Sequence, residues 1–205
     1  MVDGQLRRRG ILDERVLAAM ERVPRELFVP APVRDRAYDD AALPIGDEQT
    51  ISQPFMVARI CEVVAVGEND RVLDVGTGSG YQAAVLAELG GEVHTIERLP
   101  DLAGRARDAL VAAGYGRVDV HVGDGSKGLP EYAPFSAIAV AAAAPDVPAS
   151  LYDQLAPGGR LAIPVGGRRG QELRLVVRSP EGPAVLRSVP CRFVPIIGAE
   201  GFDQP

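Results

Sequence analysis

The sequence contains few of the residues that build metal sites and disulfide frameworks. Its 205 residues include only two cysteines, Cys61 and Cys191, and two histidines, His94 and His121. Their spacing fits neither a disulfide framework nor a zinc site. We therefore expect no bound metal, and unpaired cysteines suit a reducing compartment such as the cytoplasm.

Basic charge and long apolar runs are also scarce. The formal net charge is −6, so the chain has no cationic excess with which to bind a nucleic-acid backbone. No apolar run reaches the roughly 20 residues of a membrane helix, and the charged N-terminal stretch lacks the apolar run of a signal peptide. We expect neither nucleic acid nor a membrane as a partner, and we expect a monomer.

The N-terminal quarter predicts a helix followed by a long irregular segment. Apolar residues recur at helical spacing from Val16 to Val23, behind a possible N-cap at Asp13. Five prolines punctuate residues 24–54, and such a long irregular segment in a compact domain is usually a functional loop or lid. A second helix is predicted to begin near Pro54.

Beyond residue 70 the pattern alternates between strands and helices, which predicts a parallel sheet covered on both faces. The strands of this sheet are predicted at residues 72–75, 93–96, 118–122, 137–141 and 160–164. Two further strand-like runs, 172–178 and 184–189, flank a turn and predict a hairpin. We find no internal repeat and no domain boundary, so we expect a single domain over residues 1–205.

A glycine-rich turn follows the first predicted strand, with alternate glycines at Gly76, Gly78 and Gly80. Such a turn lets the backbone approach a ligand closely. A dinucleotide site has the pattern GxGxxG, in which the third glycine would occupy the position of Tyr81. The GxGxG spacing after the acidic Asp74 suits S-adenosylmethionine better, because that cofactor has no phosphate.

Acidic residues stand at three successive strand ends. Glu97 can accept hydrogen bonds from both hydroxyls of a ribose, Asp124 from an adenine amine, and Asp74 can favour a methionyl ammonium group. Each also has a simpler interpretation: a helix cap for Asp74, an ion pair with Arg98 for Glu97, and a turn before Gly125 for Asp124. Together, at one edge of a parallel sheet, they favour a cationic cofactor.

Short segments along almost the whole chain match the pattern of one known family. The most specific is Gln49-Thr50-Ile51-Ser52-Gln53-Pro54, within the irregular region. The others are residues 23–25, 43–46, 72–84, 96–98, 123–125, 142–145, 163–166 and 192–195. On these segments the chain resembles the protein-L-isoaspartate O-methyltransferase family. Departures from the family pattern are Asp47-Glu48, where a glycine commonly precedes the glutamine, together with Ser136 and Ala141.

The resemblance implies a Rossmann-like class I methyltransferase fold with a mostly parallel sheet, helices on both faces and a C-terminal antiparallel hairpin. Residues 1–54 would form an N-terminal helix and a substrate or lid segment, and residues 55–205 the cofactor-binding core and C-terminal strands. S-adenosyl-L-methionine would methylate the free carboxylate of L-isoaspartyl and D-aspartyl residues in damaged proteins and peptides, initiating repair through a succinimide.

The resemblance also implies roles for individual residues. Ser52 would be the active-site serine, and residues 192–195 would help line the peptide site. The residues implied to contact the cofactor are Gln49, Thr50, Ile51, Ser52, Asp74, Gly76, Gly78, Gly80, Glu97, Arg98, Asp124 and Gly125.

Several alternatives stay open at this point. By position alone, Ser52 is as well explained as the N-cap of the helix that begins near Pro54. The glycine-rich turn and the acids fit a small-molecule methyltransferase equally well. An NAD(P)-dependent oxidoreductase, a non-catalytic binding module and a family relative dedicated to one peptide are further alternatives.

Overall fold

The computed structural model describes residues 1–167 and 170–203. Its helices are α1 (Glu14–Arg22), α2 (Pro54–Val64), α3 (Tyr81–Glu88), α4 (Pro100–Ala112) and α5 (Ala149–Asp153). Its strands are β1 (Leu43–Gly46), β2 (Gln49–Ile51), β3 (Arg71–Val75), β4 (Glu92–Glu97), β5 (Asp119–Val122), β6 (Phe135–Val140), β7 (Leu155–Gly167), β8 (Gly170–Ser179) and β9 (Gly182–Cys191).

Seven strands form one sheet in the order β5-β4-β3-β6-β7-β8-β9. The first five in this order run parallel, and β8 is antiparallel to both of its neighbours. The predicted mostly parallel sheet with a C-terminal antiparallel hairpin is therefore confirmed. The strand order reverses between β3 and β6, and crevices at such a switch point are where ligands bind in open α/β sheets.

Buried side chains lie on both faces of the sheet, because successive residues of a strand point to opposite sides. Val72 of β3 faces a core built with α1, α2, α3 and α4, whereas Leu73 and Val75 face a second core that includes α5. Strands buried on both faces read as continuous apolar runs, which explains why the sequence locates them well. No helix of the described residues is long and apolar enough to cross a membrane.

The prediction of an irregular structure throughout residues 24–54 is wrong for residues 43–51, and also for the short 3₁₀ helices Arg25–Phe28 and Ala31–Arg36. Strands β1 and β2 form an antiparallel hairpin in which Gly46 pairs with Gln49. The two turn residues, Asp47 and Glu48, have φ angles of 51° and 59°. Tight hairpin turns need such left-handed residues, and glycine or asparagine usually supplies them. An Asp-Glu pair gives no such signal, so the hairpin is not recognisable in the sequence.

The extent of β7 also differs from the prediction. Strand β7 is 13 residues long and begins at Leu155, five residues before the predicted start. It includes Pro157, Gly158 and Gly159, which are typical of a turn, and its pairing with β6 is irregular there.

The hairpin β1–β2 contacts the glycine-rich turn of the sheet, since an added Cβ on Gly78 would lie 3.7 Å from Ile45 Cδ1.

Candidate active site

A cavity of about 400 Å³ opens at the carboxyl ends of β3, β4 and β6. We call it the first cavity. Most of its lining comes from five segments that are distant in the sequence. They are the hairpin and the residues after it (48–52), the glycine-rich turn (76–79), residues 97–99, residues 141–142 and the C-terminal segment 194–197.

The glycine-rich turn brings backbone, rather than side chains, to the first cavity. Gly76 and Gly78 line it, and the N–H groups of Gly76 and Thr77 donate to the carbonyl of Ile96 at 2.9 and 3.3 Å. Gly80 lies behind the wall as the N-cap of α3, with a φ of 91°. A Cβ there would lie 3.1 Å from Leu110 Cγ, so both the backbone angle and the packing against α4 favour glycine.

Glu97 brings its carboxylate to the first cavity while remaining buried. Its Oε2 accepts from the N–H of Gly78 at 3.0 Å, and its Oε1 accepts from the N–H of Leu99 at 3.1 Å. Two backbone donors thus fix the group, and each oxygen retains a lone pair for a ligand. The hydrogen bonds of this carboxylate go to the backbone and not to Arg98, whose exposed side chain lines the same cavity.

Asp74 is completely buried and lies behind the cavity wall. Its carboxylate accepts from Thr95 Oγ1 at 2.7 Å and from Gln82 Nε2 at 2.8 Å. Burial raises the pKa of Asp74 to about 6, although these two hydrogen bonds oppose the shift. The alternative role as the cap of α3 is wrong, because the N-cap of α3 is Gly80 and no side chain caps it.

Gln82 is a site residue to which the sequence alone gives no role, although it lies in the matching segment 72–84. Its side chain is buried and lines the first cavity, and its Nε2 is held by Asp74. The Oε1 of Gln82 has no hydrogen-bond partner among the described residues. A buried acceptor without a partner is costly, so this oxygen is suited to receive a donor from a ligand.

Asp124 and Gly125, which follow β5, face different parts of the structure. Gly125 lines the first cavity, and a Cβ on it would lie 2.8 Å from Val75 Cγ1. The Asp124 carboxylate is directed at other groups: it accepts from Ser126 N, Ser126 Oγ and Ala199 N at 2.9, 2.7 and 2.8 Å. The structure therefore brings Gly125 to the cavity and ties Asp124 to the C-terminal segment.

A second cavity of about 280 Å³ adjoins the first. Four residues line both cavities: Thr50, Ser52, Ala141 and Val194. The remaining walls of the second cavity are residues 40–42, 190–193, Arg9, Gln53 and Met56. Arg192 and Phe193, predicted to help line a peptide site, thus lie in this cavity, together with Val194.

Ser52 stands at the junction of the two cavities. It does not cap α2, because the N-cap is Gln53 and no side-chain hydrogen bond caps that helix. The N-cap interpretation of Ser52 is therefore wrong, and its hydroxyl is left for a different partner. Gln53 next to it is fixed by donating to the carbonyl and to Oδ1 of Asp40, both at 2.9 Å.

Arg25 contacts the backbone of Ser52. In the sequence it stands out only as part of the matching segment 23–25. This arginine is completely buried, and burial lowers the pKa of its guanidinium. Its Nη2 donates to the carbonyl of Ser52 at 2.8 Å and its Nε to the carbonyl of Ala37 at 2.7 Å. The guanidinium also lies over the Tyr81 ring, 4.7 Å from the ring centre. Arg25 therefore fixes the backbone of Ser52.

Comparisons with known proteins show which family this chain is similar to. The family model described as Protein-L-isoaspartate(D-aspartate) O-methyltransferase matches residues 1–201. A protein-L-isoaspartate O-methyltransferase of Methanoculleus marisnigri is 53% identical over 99% of this chain and 92% of its own length.

Two solved structures have the same fold. A protein-L-isoaspartate O-methyltransferase has a TM-score of 0.85 and 29% identity, covering 95% of this chain, which spans 64% of that longer chain. A putative enzyme of the same name from Plasmodium falciparum, in complex with S-adenosyl-L-homocysteine, has a TM-score of 0.83 and 26% identity, with 94% of each chain covered. The match of the family model and the 53% identity to the relative from Methanoculleus marisnigri show that this chain belongs to the protein-L-isoaspartate O-methyltransferase family.

Proposed function

We propose that this protein transfers a methyl group from S-adenosyl-L-methionine to the free carboxylate of L-isoaspartyl and D-aspartyl residues in damaged proteins and peptides. The observation that carries the proposal is the position of Ser52, between a cavity with the features of a cofactor site and a second cavity that can take a side chain. The names of the relatives support the same activity.

The donor groups of the first cavity fit this cofactor. Glu97 retains acceptor capacity for a ribose diol, and the unpartnered Oε1 of Gln82 can accept from an ammonium group. Gly76 and Gly78 allow the close approach of the backbone, and the Gly125 backbone provides a further wall. When bound, S-adenosyl-L-methionine supplies an activated methyl group on its sulfonium.

The second cavity supplies the acceptor side of the reaction. A carboxylate is already ionised at neutral pH, so its oxygen can form the new C–O bond without a general base. The Ser52 hydroxyl would donate a hydrogen bond to one carboxylate oxygen and so orient the other toward the first cavity. Ser52 is not expected to act as a covalent nucleophile, because the residues that line the two cavities include no histidine.

Alignment of the two reactants is therefore the main contribution of the protein, and positioning of this kind can supply roughly 7–11 kcal/mol. The hydrogen bond of Arg25 to the Ser52 carbonyl fixes the orienting group. Residues 1–54 contribute Arg9, residues 40–42, Thr50, Ser52 and Gln53 to the second cavity, which supports the assignment of this region as the substrate segment. The methyl ester would then collapse to a succinimide without further help from the enzyme.

The proposal includes the cytoplasm as the site of action. Cys61 and Cys191 are both free thiols, and burial raises the pKa of Cys191 to about 11. Burial also raises the pKa of Cys61. Thiols of this kind stay protonated and need no oxidising compartment.

Replacement of Ser52 by alanine tests the proposed function. We expect Ser52→Ala to lower kcat for an isoaspartyl peptide by about 100-fold, in the range of a lost positioning group, while the affinity for S-adenosyl-L-homocysteine changes little. The measurement is transfer of a labelled methyl group, with calorimetry for the binding step. Ser136→Ala, on β6 and in neither cavity wall, is the matched control.

Comparison of an isoaspartyl peptide with other methyl acceptors tests the substrate class. The wild-type protein should methylate an isoaspartyl peptide and leave the same peptide with a normal aspartate unmodified. Methylation of small acceptors in place of the peptide would overturn the proposal in favour of a small-molecule methyltransferase. Unchanged turnover of Ser52→Ala would remove Ser52 from the mechanism.

A further inference from the structure

The C-terminal segment 194–197 is a shared wall of both cavities. Val194 lines the first and second cavities, and residues 195–197 line the first. Backbone hydrogen bonds join this segment to Ala143 and Phe202: Ala143 N donates to Val194 O, Ile196 N donates to Ala143 O, and Phe202 N donates to Ile196 O, all at 2.8 Å. Ile196 is also buried in the second core. The contacts that hold the chain after residue 197 therefore contribute to the shape of both cavities.

Four polar side chains hold that chain, and we call them the C-terminal clasp: Asp124, Ser126, Ser150 and Glu200. Asp124 Oδ2 accepts from Ala199 N at 2.8 Å, and Ser126 Oγ accepts from Glu200 N at 3.0 Å. In the other direction, the Glu200 carboxylate accepts from Ser150 N at 3.1 Å and from the Ser150 hydroxyl.

The clasp is internally connected and tightly fitted. Asp124 Oδ1 accepts from both the N–H and the hydroxyl of Ser126, at 2.9 and 2.7 Å, so the two residues are fixed together. Ser126 is completely buried. A Cβ on Gly198 would lie 1.9 Å from Asp124 Oδ1, which shows how closely the C-terminal backbone approaches the carboxylate.

We propose that Asp124 is a positioning residue, which acts on both cofactor and peptide binding by holding residues 194–197 through the C-terminal clasp. The inference rests on the proposed function and deepens it, since it assigns this carboxylate to the wall between the two substrates. An adenine contact by the Asp124 side chain would affect the cofactor alone. A clasp must affect both substrates, because Val194 borders both cavities.

Glu200 and Ser150 separate the two possibilities, because they belong to the clasp and line neither cavity. We expect Asp124→Asn, Glu200→Ala and Ser150→Ala each to raise the Kd for S-adenosyl-L-homocysteine and the KM for an isoaspartyl peptide. The increase should be about tenfold for the two carboxylate variants, because each loses charge-assisted hydrogen bonds, and smaller for Ser150→Ala. The kcat at saturation should change much less than either constant.

Ser179→Ala is the matched control for a lost serine–glutamate contact. Ser179 Oγ donates to Glu181 Oε2 at 3.0 Å in the turn between β8 and β9, and neither residue lines a cavity. Its Kd and KM should equal those of the wild type. Amide hydrogen exchange supplies a readout independent of binding: the N–H groups of Ala199 and Glu200 should exchange faster in the clasp variants.

Two results would overturn the proposal. One is a weakened cofactor affinity in Asp124→Asn alone, with Glu200→Ala and Ser150→Ala equal to the wild type. The other is unchanged exchange at Ala199 and Glu200 in all three variants. Failure of the proposed function is distinguishable, because a wild type that binds S-adenosyl-L-homocysteine but methylates no isoaspartyl peptide leaves the Kd and exchange measurements intact.

Discussion

At the scale of single residues, two carboxylates at neighbouring strand ends have different tasks. Glu97 borders the first cavity and is fixed by two backbone N–H groups, which leaves its oxygens available to a ligand. Asp74 is fully buried and binds Thr95 and Gln82. Asp74 therefore acts through Gln82, which lines the first cavity and whose Oε1 has no hydrogen-bond partner within the described part of the chain.

Removal of the Glu97 carboxylate should weaken cofactor binding. We expect Glu97→Ala to raise the Kd for S-adenosyl-L-homocysteine by about 10-fold to 100-fold, because hydrogen bonds to a charged group contribute about 1.5–3 kcal/mol each. Calorimetry measures the change. Glu92→Ala, at the opposite end of β4 and outside both cavities, is the control. An affinity equal to that of the wild type would reject the ribose role of Glu97.

The sequence predicts the positions of the acidic residues better than the directions of their side chains. Asp74 lies near the end of the first predicted strand, and Glu97 and Asp124 follow two others, so their place at one edge of the sheet can be predicted from the chain. Their side-chain directions depend on partners such as Thr95 and Ala199, which lie 21 and 75 residues away. Hydrogen bonds over such separations leave no local pattern.

At the scale of elements, the hairpin β1–β2 joins the first cavity to α4. Asp47 at its tip forms an ion pair with Arg105 of α4, and both side chains are about half exposed. The neighbouring residues 48–51 line the first cavity. The sequence predicts the bounds of the parallel strands β3 to β6 to within two residues. It gives no signal for this hairpin, because the strands are short and the turn contains no glycine.

Loss of the hairpin ion pair should speed release of the bound product. We expect Arg105→Ala to raise the dissociation rate of S-adenosyl-L-homocysteine by only about twofold to fivefold, since exposed pairs contribute roughly 0.2–1 kcal/mol. The effect should vanish in about 1 M salt, where the Debye length is about 3 Å. Stopped-flow displacement measures the rate, and Arg36→Ala, which removes the exposed pair with Asp39, is the control. An increase in the dissociation rate that does not depend on salt would contradict a role of the ion pair between Asp47 and Arg105.

At the scale of the whole molecule, the partly buried His121 and the buried Asp74 make stability depend on pH in opposite directions. Burial, followed by the charge of His94, lowers the pKa of His121 from its ordinary 6.5. The unfolded chain then binds this proton more tightly, so the free energy of unfolding falls as the pH drops below about 6.5. The raised pKa of Asp74, about 6, has the opposite effect, because protonation of Asp74 favours the folded state as the pH falls through that value.

The difference between wild type and His121→Gln isolates the histidine contribution, because the Asp74 contribution is common to both proteins and cancels. His121 Nε2 lies 3.3 Å from His94 Nδ1, and both rings pack against Tyr132. Asp119 and Glu131 favour the protonated ring, but burial, His94 and Arg107 outweigh them. Urea unfolding at pH 7.5 and 5.5 should therefore show the wild type losing more stability than the variant on acidification. Parallel losses would mean that this histidine pair does not govern the acid stability of the sheet.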